Sequence, residues 1–241
     1  MFVIPMVGKS SRFFSEGYTL PKYRLPLGEG FVFDYVMKSF ASYFLTDRFI
    51  FICRKDFNDY DFIHNRIKFL GINNFEIVQT EKNTLGQAHS VYIATEMDVK
   101  ISEELYIFNI DTILFDFKKP LFGSEVFGFM EVFRGEGSHW SFAVPDSLHN
   151  FTIIKVVEKE RVSDLCSNGL YYFKSLDVFR KAFTTFMDSK WDGLSELYVA
   201  PLYNCLIEIG GVVKYFEIEI EAIGFCGTPD EYKKLFSQLN K

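Results

Sequence analysis

FVIPMVGKSSRFFSEGYTLPKYRLP, residues 2–26, decides how the chain is read. An apolar run ends at Met6, and a short loop follows with Gly8, Lys9, Ser10, Ser11 and Arg12. Pro21 and Lys22 come ten residues after Ser11 and Arg12. A glycine-bearing turn lets backbone N–H groups come close to a phosphate chain, and an Arg and a Lys can neutralise its charge. This layout suits a nucleoside triphosphate held for attack at its α-phosphorus. The string GKSS imitates the tail of a Walker A loop, but that motif needs a Gly five residues before the GK glycine, and residue 3 is Val. No G-x-G-x-x-G occurs either.

Working outward, the first half alternates strand and helix. Apolar runs predict strands over residues 2–6, 48–53, 75–79 and 105–110, and helical patterns lie over 31–44, 56–70 and 85–97. Val32, Val36 and Phe40 recur at four-residue spacing in the first helix. Short buried strands joined by helices of this length imply an α/β fold whose central sheet is mostly parallel, with helices on both faces. Ligands in such sheets sit at the carboxyl ends of strands. The glycine loop and Asp111, which follows Ile110, both stand at such ends.

The second half is richer in strands, expected over 126–133, 140–144, 152–158, 170–173 and 212–220, with helices over 176–187 and 195–209. Pro201 is expected to kink the second of these helices. Thr228-Pro229-Asp230-Glu231 combines an N-cap, a first-turn proline and a Glu three residues on, the signature of a capping box. No repeat, low-complexity segment or linker interrupts the chain, so one domain is the simplest reading.

Composition narrows the function. The net charge of −6 argues against broad nucleic-acid binding, which needs a basic field. No apolar run approaches the ~20 residues that span a bilayer, and no basic segment with a long apolar stretch marks a signal peptide. Cys53, Cys166, Cys205 and Cys226 are scattered without a C-x-x-C pair, a pattern of reduced thiols and a cytoplasmic location. Twenty-nine phenylalanines supply a generous core and invite a homo-oligomer interface.

Three further constellations carry chemistry. Asp111 ends the run LYIFNI, where a carboxylate can hold a divalent cation bridging phosphates or can cap a turn. Leu85, Gly86 and Gln87 open a helix. There a glycine admits a flat ring and an amide reads a base edge, unless Thr84 simply caps the helix. His89, one turn in, reads as a packed or surface residue. The 152–158 strand delivers Glu158 and Lys159, able to bind hydroxyls or an amine and a phosphate, in a crowded charged stretch that solvent alone would also explain. Asn168 and Gly169 enter the next strand.

Together these pieces resemble the nucleotidyltransferase family of sugar-1-phosphate nucleotidylyltransferases and small cytidylyltransferases, nearest to enzymes of capsule and surface-polysaccharide gene sets. Its G-x-G-[ST]-R and P-K elements are similar to Gly8–Arg12 and Pro21-Lys22, its G-x-A turn to Gly86-Gln87-Ala88, and its V-x-E-K to Val156–Lys159. Its T-G-[IL]-Y strand resembles Asn168–Tyr171, and its G-T-P-E-D helix start resembles Gly227–Glu231. The match runs in order along nearly the whole chain.

The resemblance implies a Rossmann-like, GT-A-like fold, with residues 1–112 as the nucleotide-binding half and 113–241 as the acceptor half. It implies Mg²⁺ and transfer of a nucleoside monophosphate from an NTP to a phosphorylated small molecule, with release of pyrophosphate. Arg12 would hold pyrophosphate, Lys22 the α-phosphate or the incoming phosphate, and Asp111 the metal. Met6, Gly8, Lys9, Ser10, Ser11, Gln79, Leu85, Gly86 and Gln87 would line the nucleotide, with a lean to CTP or UTP. Trp140, Ser141, Glu158, Lys159, Asn168 and Gly169 would line the acceptor.

Two positions depart from the family pattern. Ser10 stands where the loop has its second glycine, and Phe225 where a second metal carboxylate is usual. Glu219 or, preferably, Glu221 is expected to reach the ion instead. A glycosyltransferase with Asn109-Ile110-Asp111 as a reduced D-x-D, and a nucleotide-binding relative without turnover, are the competing readings.

Overall fold

The computed structural model describes residues 1–81, 84–189 and 196–239. The chain has a mixed α/β architecture, a mostly parallel central sheet with flanking helices, and its path weaves between two compact units. One unit comprises Ile4–Lys82, Asn109–Lys119 and Glu221–Lys241, and the other Met1–Val3, Asn83–Phe108 and Pro120–Ile220.

In the first of these, the six buried residues of strand Phe49–Arg54 run parallel to strand Phe75–Thr80, from Phe49 opposite Phe75 to Arg54 opposite Thr80. A strand buried on both sides must be apolar throughout, which is why FIFIC is unbroken. The second half of strand Phe2–Pro5 lies on its other side, and Met6 N–H donates to the Ile52 carbonyl at 2.7 Å. Helices Val32–Lys38 and Tyr60–Leu70 belong to this unit, joined by a buried ion pair in which both Asp34 oxygens accept from Arg66 at 2.8 Å.

Two helix expectations change here. The 31–44 helix stops at Lys38, and a separate short turn covers Ala41–Tyr43. At the break the Ser39 hydroxyl is diverted to accept the Leu114 N–H at 2.9 Å. The 56–70 helix begins only at Tyr60, because Asn58 adopts a left-handed conformation at φ 52°.

The other unit is built on strand Leu165–Phe173, all of whose residues are buried. It pairs antiparallel with Val126–Arg134 at both its ends, with Ser141–Pro145 through Cys166 opposite Phe142, and through its last four residues with Leu105–Phe108, again antiparallel. Its register against Val126–Arg134 shifts between Ser167 and Tyr171, which marks a bulge at Asn168–Gly169. Leu105–Phe108 runs parallel to Phe2–Val3, and Val212–Glu217 parallel to Val126–Arg134. The edge strand Ile153–Glu158 pairs with Ser141–Pro145. Its free backbone at Val156 is closed by the Asn204 side chain, which accepts from Val156 N–H and donates to its carbonyl, both at 2.8 Å.

Asn204 belongs to helix Leu202–Glu208, which starts after Pro201. Proline thus opens this helix where a kink within it was expected, as its missing N–H favours. The start of the expected 195–209 helix, at Ser195, lies outside the described residues. The 212–220 strand ends at Glu217, and Ile220–Ala222 forms a tight helical turn.

Candidate functional site

Strand Phe2–Pro5 delivers the loop. Gly8 has open space where a Cβ would stand, so the backbone there is accessible. Ser10 adopts the left-handed conformation at φ 51°, one that strains an L residue. It closes the loop and starts the short helix Ser11–Ser15, with the Ser10 carbonyl accepting from the N–H groups of Phe13 and Phe14 at 3.0 and 3.1 Å. The hydroxyl at the position of the family's second glycine has a use: Ser10 Oγ accepts the Lys22 N–H at 3.2 Å. Arg12 and Lys9 are exposed, and among the described residues their cationic groups take no hydrogen bond or ion pair.

Lys22 opens a tight turn, Lys22–Arg24, after Pro21. Its ammonium donates to Asp111 Oδ2 at 2.5 Å, with 18% of the Lys22 and 23% of the Asp111 side chain exposed. Asp111 immediately precedes strand Thr112–Leu114, which pairs antiparallel with Ile223–Phe225, and its carbonyl accepts from Cys226 N–H at 2.9 Å. A Cβ on Gly227 would stand 3.0 Å from Asp111 Oδ2 and 3.5 Å from Glu231 Oε2. The glycine therefore leaves the carboxylate its space. The Cys226 thiol beneath is pushed well up by burial, with Asp111 adding to the effect.

Ser10, Lys22 and Asp111, expected at one site, are joined by direct hydrogen bonds. Glu221 does not join them. Phe225 faces Thr112 in the ladder, and Phe115 N–H donates to the Ala222 carbonyl. Between the contact at Cys226 and the one at Ala222 lie four strand steps, about 13 Å, and Glu221 is one residue further still. No hydrogen bond links Glu221 to Asp111 among the described residues, and no cluster of three His, Cys, Asp or Glu suited to a metal occurs among them. A single carboxylate still fits Mg²⁺, which commonly takes one or two protein carboxylates and completes its shell from phosphates and water. Gln79 is an exposed residue of strand Phe75–Thr80 in this same unit.

The remaining candidates are in the other unit. Gly86, at φ 143°, precedes helix Gln87–Thr95, and a Cβ there would stand 2.5 Å from the Leu197 nitrogen. Leu197 bonds to both sides of the turn, donating to the Leu85 carbonyl at 2.8 Å and accepting from Ala88 N–H at 2.9 Å. The close approach that this glycine permits is therefore one by the chain itself. Thr84 does not cap the helix; its hydroxyl meets Ser90 Oγ at 2.7 Å. His89 Nδ1 accepts the Leu85 N–H at 3.0 Å, and burial lowers its pKa.

Glu158 stands opposite Ser141 across two strands and accepts its hydroxyl hydrogen bond. Burial raises the Glu158 pKa, while Ser141 and Lys159 pull it down. Lys159, left-handed at φ 57°, donates its N–H to the Trp140 carbonyl at 2.9 Å, and its ammonium hydrogen-bonds Tyr198 Oη and lies 4.3 Å from that ring's centre. Asn168 Oδ1 accepts the Leu170 N–H at 3.0 Å within the bulge, and Gly169 takes φ 92°. Asn168 Nδ2 is buried without a well-formed partner among the described residues.

Sequence reasoning missed Tyr198 and Glu131. Glu131 is 5% exposed, and burial pushes its pKa up to about 7, with Asn168 pulling the other way. The signal for it was a lone carboxylate in the apolar run VFGFMEVF. Tyr198 carries no such mark.

No family model and no curated protein matches the chain. Solved structures do. A nucleoside-diphosphate-sugar pyrophosphorylase from Vibrio cholerae RC9 is 38% identical over 99% of this chain and 100% of its own, with a TM-score of 0.93. The inositol-1-phosphate CTP transferase of T. maritima is 15% identical over 100% of this chain and 96% of its own, with a TM-score of 0.76. A UDP-glucose pyrophosphorylase from Acinetobacter baumannii is 15% identical over 98% and 92%, with a TM-score of 0.69. The last two share the fold; identity and coverage with the first place this chain in the sugar-1-phosphate nucleotidylyltransferase family.

Proposed function

We propose that the chain transfers a nucleoside monophosphate from an NTP, CTP or UTP, to a phosphorylated small molecule of the sugar 1-phosphate type, releasing pyrophosphate, for surface-glycan precursors. The observation that carries this reading is the Ser10–Lys22–Asp111 cluster, a lysine and a carboxylate 2.5 Å apart, tied through Ser10 to a loop whose Lys9 and Arg12 cations take no hydrogen bond or ion pair among the described residues.

A phosphate oxygen of the acceptor attacks the α-phosphorus, the bond to the β-phosphate breaks, and pyrophosphate leaves. Alignment and charge neutralisation supply most of the acceleration in such a transfer. Met6, Gly8, Ser10 and Ser11 shape the loop around the phosphates, Arg12 and Lys9 hold the leaving pyrophosphate, and Lys22 turns from Asp111 to the α-phosphate. Asp111 would hold Mg²⁺, which when bound supplies further charge neutralisation on the phosphates. Leu85, Gly86, Gln87 and Gln79 serve the nucleotide. Glu158 and Ser141 take acceptor hydroxyls, Lys159 its phosphate, and Trp140, Asn168 and Gly169 its outline.

The test is a pyrophosphate-release screen of four NTPs against phosphorylated sugars and amino-alcohols, with and without Mg²⁺. Release with a pyrimidine NTP and one acceptor class supports the reading. Release of a nucleoside diphosphate from a nucleotide sugar, or nucleotide binding without turnover on any acceptor, overturns it.

A further inference from the structure

Lys22 is held at its backbone by Ser10, but its turn has a second anchor. The next two residues, Tyr23 and Arg24, both reach the same carboxylate: Tyr23 Oη donates to Asp59 Oδ2 at 2.6 Å and Arg24 Nη1 to Asp59 Oδ1 at 2.5 Å. Asp59 is fully buried, and Arg24 lies 4.9 Å from the centre of the Phe62 ring on the helix that follows. Asp59 occupies the N-cap position of helix Tyr60–Leu70, where an aspartate ordinarily accepts from the helix's own N–H groups. It makes no such bond. Both oxygens are committed instead to a turn some thirty-five residues earlier in the chain.

A buried carboxylate is costly unless paired. Here the pairing fixes the two side chains that follow Lys22 and so fixes where the lysine's backbone stands. Resting on the role proposed above for Lys22, we infer that Asp59 is a positioning residue for nucleotidyl transfer. Through Tyr23 and Arg24 it holds the Lys22 turn in the register that lets the ammonium serve both Asp111 and the incoming phosphate.

The same unit contains a control. Asp34, 2% exposed, also binds an arginine of helix Tyr60–Leu70 through both oxygens, yet its carboxylate bonds only Arg66 and the Phe31 N–H among the described residues, and neither oxygen accepts from Lys22, Tyr23 or Arg24. The experiment compares Asp59→Asn, Tyr23→Phe and Asp34→Asn well below their melting temperatures. One readout is kcat and nucleotide KM in pyrophosphate release. The other, independent of turnover, is acetylation of Lys22 by an amine-reactive ester, followed by mass spectrometry against exposed Lys234 as reference.

Asp59→Asn and Tyr23→Phe should lower kcat by about ten- to a hundredfold, as misplacement of a reacting group does, with nucleotide KM unchanged and Lys22 labelled faster. Asp34→Asn should lower only the melting temperature. If Asp59→Asn does not fold, Tyr23→Phe, which loses a single hydroxyl, carries the comparison. Equal kcat and equal labelling in all three variants overturn the inference. Full turnover in Lys22→Ala overturns instead the role given to the lysine, and the labelling rates then still report whether Asp59 holds the turn.

Discussion

The two groups of candidate residues use charge in opposite ways. In the glycine-loop unit, the cations of Lys9 and Arg12 are exposed and uncommitted among the described residues, and the ion pair of Lys22 with Asp111 stays partly open to water. In the other unit, the carboxyls of Glu131 and Glu158 are drawn inward and their pKa values raised by burial, and Lys159 is already engaged with Tyr198. The first arrangement suits a small ligand of high charge density, whose own charge completes the site. The second suits recognition of neutral hydroxyls, because a desolvated polar group discriminates sharply against a ligand that leaves it unpaired.

The largest expected effect tests the exposed-charge side. Arg12→Ala, Lys22→Ala and Asp111→Asn should each cost about 2.7–4 kcal/mol of transition-state stabilisation, a hundred- to a thousandfold in turnover. Arg12→Ala removes no hydrogen bond or ion pair among the described residues, so its melting temperature should equal that of the unsubstituted protein while pyrophosphate release collapses. Turnover at the unsubstituted rate in any of the three would break the comparison at its stronger half.

Glu131 tests the buried side through pH. Its pKa rises on folding from 4.5 to about 7. An acid with a raised folded pKa holds its proton more tightly when folded. Its contribution is therefore full below the unfolded value and is lost as pH rises to about 7. The loss is at most about 3 kcal/mol. Thermal unfolding of Glu131→Gln and of the unsubstituted protein should give curves that diverge between pH 5 and pH 8, the glutamine variant becoming the more stable. Parallel curves would mean that Glu131 is ionised in the fold and that burial does not govern this unit's carboxyls.

A smaller effect belongs to Glu158 and Ser141. Ser141→Ala leaves the Glu158 carboxyl without the hydroxyl that draws its pKa down. Acceptor KM should rise by roughly tenfold, within the 1–3 kcal/mol of an unmade buried hydrogen bond, with nucleotide KM unchanged. Steady-state kinetics with each substrate varied in turn read this directly. A change in nucleotide KM alone would move these residues to the nucleotide.

What the sequence disclosed depends on the range of the contact. The buried strand FIFIC and the Thr228–Glu231 helix start were legible because burial on both faces and end-capping leave local signatures. The Lys22–Asp111 contact was legible only through motif order, since no periodicity links residues 22 and 111. Two features left no mark. Ser10 bonds the Lys22 backbone, and Leu197 fills the space that Gly86 leaves. Each depends on a partner distant in the chain or on a backbone conformation that residue type alone does not dictate. The bulge at Asn168 is intermediate: Gly169 hinted at it, but the register shift appears only against the neighbouring strand.

The smallest expected effect separates scaffold from site beside Asp111. Thr228 Oγ1 accepts the Glu231 N–H at 3.3 Å, and Glu231 Oε2 accepts the Thr228 N–H at 2.9 Å, closing the box that begins helix Pro229–Leu239. Thr228→Ala should lower stability by about 1 kcal/mol, the usual worth of an N-cap, read as a shift in the denaturant midpoint at constant slope. Glu231 stays near Asp111 across Gly227, so the variant also asks whether capping keeps this carboxylate away from the ion pair. Unchanged kcat would make the box pure scaffold. A fall in kcat beyond the fraction unfolded would mean that the freed Glu231 competes for Lys22, and the exposed-charge unit would then owe its open cations to a carboxylate restrained by its own helix.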